Sequence, residues 1–283
     1  MHPMLAMAFR TPVAASSPYP LDALSVKPIF AVSLRRLKTA YAGPAIKVRR
    51  SSDNATADIG FSSGDLDTVA LSAFIGANSG YIDTWYDQIG TAHMTAPSTA
   101  SQPRIVNAGT IDLKNSKPIT TTMGFTSGLT TGTTAIAIGG NKATESTVGF
   151  YTATRASRFN LSFIASIDSA DYVGGTSAAF GVMINLTTLE SQRGSPLSGV
   201  ALISGALIAG MGMYDGTNNT QYVNNVAGAT VANALPFGAL GKLNNSDGGA
   251  CDGGIFEHLF WNHALSSSDR VILFASQQSY YGI

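Results

Sequence analysis

The chain has 283 residues, of which 12% are charged and 45% hydrophobic, and its 17 basic and 17 acidic side chains cancel to a net charge of zero. So little charge excludes a disordered acidic or basic chain, and the zero balance excludes a strongly basic nucleic-acid-binding protein. A single cysteine excludes an internal disulfide framework and a cysteine-based zinc site. No apolar stretch approaches the roughly 20 residues of a membrane span.

The charge is unevenly distributed along the chain. Residues 1–50 contain eight Lys or Arg and one Asp, whereas residues 51–100 contain six Asp and no Lys or Arg. We expect these two segments to meet in the folded protein, where their charges would offset each other. The alternative is a basic N-terminal region that docks on an acidic partner.

The first hundred residues predict an extended arm followed by two helices and two strands. Three prolines within residues 11–20 predict an extended N-terminal arm, taken as residues 1–28, because proline fixes φ and restrains the residue before it. Apolar residues at helical spacing then predict a helix over 31–41. Alternating patterns predict strands over 45–50 and 81–86, and residues 66–74 predict a second short helix.

The rest of the chain reads as β-structure. Beyond residue 110, short runs rich in Ile, Val, Phe, Thr and Tyr alternate with Gly, Asn and Ser turns. The dipeptide Asp215-Gly216 predicts a hairpin. Residues 255–261 predict the last strand, and the serines before Asp269 predict the cap of a short helix through Gln278. With no strong internal boundary, residues 29–283 predict one all-β domain, a two-sheet sandwich with a few short helices.

Two segments carry a resemblance to a known family. The stretch YAGPAIKVRRSSD at 41–53 and the motif WYDQ at 85–88 are similar to the catalytic-domain family of α-L-arabinofuranosidase B. The resemblance implies a concanavalin A-like β-sandwich of jelly-roll type. Closely similar modules occur in bacteriophage virion proteins, especially tail and fibre proteins. The C-terminal segments 213–226 and 253–270 are also similar to the closing strands of laminin-G-like and lectin-like sandwiches.

The resemblance places a catalytic carboxylate pair at Glu190 and Asp247. A retaining glycosidase needs two carboxylates about 5 Å apart, one as nucleophile and one as acid/base. Glu190 stands near the family's nucleophile position, without the acid and Asn that flank it there, and Asp247 stands near the acid/base position. The family's adjacent pair of cysteines has no counterpart, since Cys251 stands alone. These departures argue against hydrolysis.

Four further residues are candidates for ligand binding. Trp85 is suited to stacking on a sugar ring, and Arg50, Asp53 and Asp87 are suited to polar contacts with one. The structural alternative places Trp85 in the core and the other three in an ion-pair cluster that braces the sandwich. The acids from Asp53 to Asp87 lack the spacing of a calcium loop, and the four histidines are scattered, so we expect no metal site and no cofactor.

The resemblance to virion modules leads to the main functional expectation. We expect a non-enzymatic bacteriophage structural protein on the particle surface, on the tail rather than the head, anchored to other virion proteins through residues 1–28. Host-surface polysaccharide is the expected ligand, nucleic acid and membrane are not expected partners, and a homo-oligomer such as a trimer is the expected assembly. A head (capsid) decoration protein is the first alternative, and an arabinofuranosidase-like glycoside hydrolase is the second.

Overall fold

The computed structural model describes residues 19–122, 142–153, 203–232 and 252–283, together with the strands that lie between these ranges. Its helices are α1 (Pro20–Ala23), α2 (Thr68–Ile75) and α3 (Ser267–Tyr281), with a 3₁₀ turn at Thr99–Ser101. The strands as far as residue 122 are β1 (Phe30–Ser33), β2 (Ile46–Arg50), β3 (Thr56–Ile59), β4 (Phe61–Ser62), β5 (Asp65–Leu66), β6 (Gly80–Trp85), β7 (Met94–Thr95), β8 (Arg104–Asn107), β9 (Thr110–Ile111), β10 (Leu113–Lys114), β11 (Lys117–Pro118) and β12 (Thr120–Thr122). The later strands are β13 (Ile136–Ala137), β14 (Ala143–Ala153), β15 (Phe159–Asn160), β16 (Ile164–Ser166), β17 (Gly181–Asn185), β18 (Thr188–Arg193), β19 (Ser195–Pro196), β20 (Val200–Ala201), β21 (Ile208–Tyr214), β22 (Asn218–Val223), β23 (Val226–Ala232), β24 (Leu240–Asn244) and β25 (Asp252–Trp261).

The architecture is a sandwich built on one large antiparallel sheet. Its strand order is β23-β22-β21-β14-β25-β12-β8-β6-β2-β3, with β1 paired to β25. A second sheet, β15-β17-β18-β19 with β20 beside β18, lies against β14, β21 and β22. A separate three-stranded sheet has the order β13-β24-β16, and its strand β16 lies near β17 of the second sheet. The prediction of an all-β sandwich with a few short helices is confirmed.

The two faces of the large sheet carry separate apolar clusters. We call the side turned toward the second sheet the inner face and the opposite side the outer face. The inner face carries a core that includes Phe30, Trp85 and Phe260. On the outer face, Leu259 and Trp261 pack with the buried side of α3. Successive side chains of β1 and β25 therefore point to opposite faces of the sheet and pack in different apolar clusters, as expected for pleated strands.

Helix α3 closes the outer face. The Ser266 hydroxyl accepts the backbone N–H of Asp269 at 3.1 Å, which caps the first turn. The helix ends at Gly282, whose φ of +69° suits glycine. Its buried side chains include Leu273, Gln277 and Tyr281, which lie four residues apart along one face. The prediction of a capped C-terminal helix is confirmed, and the helix runs three residues beyond Gln278.

The predicted helix over 31–41 is wrong. Residues 30–33 form β1 instead, in antiparallel register from Phe30 opposite Phe260 to Ser33 opposite Glu257. All four residues of β1 are buried, so pairing with β25 outweighs the local helical spacing. The predictions of α2, of strands β2 and β6, and of the hairpin at Asp215-Gly216 are confirmed.

The last ten residues of the segment assigned to the arm are folded against the domain. Leu21 and Leu24 are buried in the outer-face cluster, and the backbone N–H of Leu21 donates to the carbonyl of Leu37 at 3.0 Å. The Trp261 Nε1–H donates to the carbonyl of Val26 at 3.1 Å. Residues 1–18 lie outside the described residues, and anchoring through them stays a prediction.

Candidate functional site

Four polar side chains line the inner face where the second sheet covers it. Glu145 lies on β14, His258 on β25, and Asn219 and Gln221 on β22. All four are 0% exposed. Fully buried polar and charged side chains are uncommon between two sheets, because they lose their hydration there. We call this set the inner polar row and take it as the candidate site.

Strand register places the members of the inner polar row on one side of the sheet. Glu145 is opposite both Phe260 of β25 and Gly212 of β21. Gly212 is in turn opposite Gln221, so these side chains project to the same side. Gly212, between Glu145 and Gln221 in the register, places no side chain of its own there. The arrangement therefore creates a polar strip across four neighbouring strands.

Glu145 and His258 are neighbours within this strip. The Oε1 atom of Glu145 lies 3.6 Å from the Nδ1 atom of His258. Complete burial lowers the pKa of His258 well below its ordinary value, since a charged imidazolium loses its hydration there. The imidazole is therefore neutral near pH 7 and offers one ring N–H and one ring acceptor.

The side-chain amide of Asn219 also belongs to the inner polar row. Neither Nδ2 nor Oδ1 of its side chain has a hydrogen-bond partner among the residues that the structure describes. Leaving a buried polar group unpaired costs about 1–3 kcal/mol. A hydroxyl-rich ligand or an ordered water would satisfy both atoms of this amide.

Glu190, the predicted nucleophile, lies on the strand that covers part of the inner polar row. It is in β18, where its backbone is opposite Met183 of β17, and β18 lies against β21 and β22. Strand β22 supplies Asn219 and Gln221. Asp247, the predicted acid/base, falls outside the described residues, in the segment that joins β24 to β25.

Trp85 and Asp87 occupy buried structural positions. Trp85 is 1% exposed and belongs to the inner-face core, so its ring presents no open face to a sugar. Asp87 accepts the backbone N–H groups of Ala31, Ile89 and Gly90 at 2.9–3.0 Å. Its carboxylate thereby joins the end of β6 to β1.

Arg50 and Asp53 form a partly exposed ion pair at the end of β2. The Arg50 Nη2 atom lies 2.7 Å from Asp53 Oδ2, and the Arg50 hydrogen bond, helped by the backbone N–H of Ala55, lowers the pKa of Asp53 to about 2. Arg50 also donates to the carbonyl of Phe74 at 2.7 Å. Among the ion pairs of described residues, only this one joins segment 1–50 to segment 51–100.

Sequence reasoning missed a buried ionic network beneath α3. Glu257 is 0% exposed and accepts hydrogen bonds from Arg35, Ser33, Gln277 and Tyr281 at 2.7–3.2 Å. Burial by itself raises the pKa of Glu257. The positive charge of Arg35 and the hydrogen bonds from Arg35, Gln277 and Tyr281 favour the ionised carboxylate more strongly, so the pKa of Glu257 is lowered overall. The one available signal was a lone acid within the apolar run 255–261.

The described residues contain no group of three or more His, Cys, Asp or Glu side chains placed to hold a metal ion. In that same part of the chain, no helix is long and apolar enough to cross a membrane.

Comparison with known proteins gives structural neighbours only. No protein-family model matches the sequence, and no curated protein matches it. A GH54 α-L-arabinofuranosidase soaked with a cyclic sulfate inhibitor matches with a TM-score of 0.69 at 15% identity. A Glu-to-Gln variant of a GH54 arabinofuranosidase soaked with 4-nitrophenyl α-L-arabinofuranoside has a TM-score of 0.71 at 16% identity. An arabinofuranosidase complexed with arabinofuranosyl-α-1,2-xylobiose has a TM-score of 0.66 at 17% identity.

These matches establish the fold. Each covers 91% of this chain and 64% of the neighbour, so the chain spans just under two thirds of the length of those enzymes. At such low identity the likeness shows an arabinofuranosidase B-like β-sandwich and nothing finer. The fold expected from the resemblance is therefore confirmed.

The main functional expectation is corrected by the same comparison. A non-enzymatic bacteriophage virion protein was expected, but these structural neighbours are glycoside hydrolases. None of the three is a virion protein, and the link to bacteriophage has no support.

Proposed function

We propose that this chain is a glycoside hydrolase domain of arabinofuranosidase type, acting on α-L-arabinofuranosides. The observation that carries the proposal is the fold likeness, which extends over 91% of the chain to enzymes solved with arabinofuranosyl ligands or inhibitors.

The proposed chemistry is a retaining displacement. The Glu190 carboxylate attacks the anomeric carbon while the Asp247 carboxyl protonates the glycosidic oxygen that leaves. Water, deprotonated by Asp247, then attacks the anomeric carbon of the glycosyl ester and releases arabinose with Glu190 restored.

Hydrolysis of 4-nitrophenyl α-L-arabinofuranoside by the full chain tests the proposal. We expect release of 4-nitrophenol by the wild type, and a loss of kcat of roughly 10²–10⁴-fold in each of Glu190→Gln and Asp247→Asn. Asp53→Asn is the matched control, since it makes the same acid-to-amide change at an exposed ion pair and should retain full activity.

Each outcome of this assay bears on a different part of the proposal. If activity survives both Glu190→Gln and Asp247→Asn, the catalytic carboxylates are other residues, but the chain is still a glycoside hydrolase. If the chain hydrolyses no arabinofuranoside but calorimetry shows that it binds arabino-oligosaccharides, the domain binds carbohydrate without cleaving it. Neither hydrolysis nor binding would overturn the proposal.

A further inference from the structure

We draw no further inference here: the strongest candidate, the partly exposed patch of Lys47, Arg49 and Tyr81 on the outer face of β2 and β6, carries nothing because a solvated polar face is usual for an antiparallel sheet and nothing in the structure shows what covers it.

Discussion

Removing one partner of the buried Arg35–Glu257 pair should be among the most damaging single changes in the protein. In Glu257→Gln the shape is kept and the charge is lost, so the Arg35 guanidinium stays buried without a counter-charge. Arg35 is 4% exposed and its Nε atom lies 2.7 Å from Glu257 Oε2. The guanidinium also lies 4.7 Å from the ring centre of Tyr280, beneath α3.

The magnitude follows from the burial of both charges. Breaking a fully buried pair by removing one partner costs about 3–5 kcal/mol. For a domain of this size each kcal/mol shifts the melting temperature by about 2–4 °C, so a fall of roughly 6–20 °C is expected. Removing both charges together, in Arg35→Met/Glu257→Gln, should cost less than the two single changes summed, because no uncompensated charge remains.

Urea and thermal unfolding, followed by circular dichroism, measure these differences. Asp53→Asn is the matched control, since it removes the carboxylate of a solvent-exposed ion pair with Arg50 and should change the midpoint little. The reasoning is refuted if Glu257→Gln costs no more than Asp53→Asn. It is also refuted if the effects of Arg35→Met and Glu257→Gln simply add, since that would mean that the two charges do not interact.

Two further predictions concern the inner polar row. Because the pKa of His258 is lowered in the folded protein, the unfolded chain binds the extra proton, and stability should fall as the pH drops below about 6.5 by up to ~1.4 kcal/mol per unit. His258→Gln should therefore make the free energy of unfolding less dependent on pH between pH 6.5 and 5. Asn219→Val should raise the free energy of unfolding by about 1–3 kcal/mol, because the amide that it removes has no hydrogen-bond partner among the described residues. A loss of stability in Asn219→Val would show that the amide is satisfied in the folded protein.

Sequence patterns that span a few residues correctly predicted the helices and strands that short-range interactions stabilise. The hairpin at Asp215-Gly216 follows from the turn itself, since the Asp215 carboxylate accepts the backbone N–H groups of Thr217 and Asn218 at 2.9 and 2.7 Å. Helix α3 was predicted because the serines before Asp269 indicate an N-terminal cap. Strands β2 and β6 were predicted from the alternation of apolar and polar residues. The motifs in these segments resemble α-L-arabinofuranosidase B, and that resemblance correctly predicted the β-sandwich fold.

The wrong prediction and the missed network both involve distant partners. Residues 30–33 have helical spacing with the residues that follow, yet they pair with β25 more than two hundred positions away. Arg35 meets Glu257 across a separation of 222 residues. No local pattern indicates which basic residue will be desolvated beside which acid, because that depends on how the sheet and α3 close over them.

The sequence by itself determined the β-sandwich class, strands β2, β6 and β25, the hairpin at Asp215-Gly216 and the capped final helix. These features depend on side-chain periodicity, turn dipeptides and caps, which act over a few residues. The tertiary structure alone decided that Trp85 and Asp87 are internal, and that Glu145, Asn219 and His258 share one buried face. Such placement depends on strand order and register, since pairing across the sheet brings together residues that are far apart along the chain.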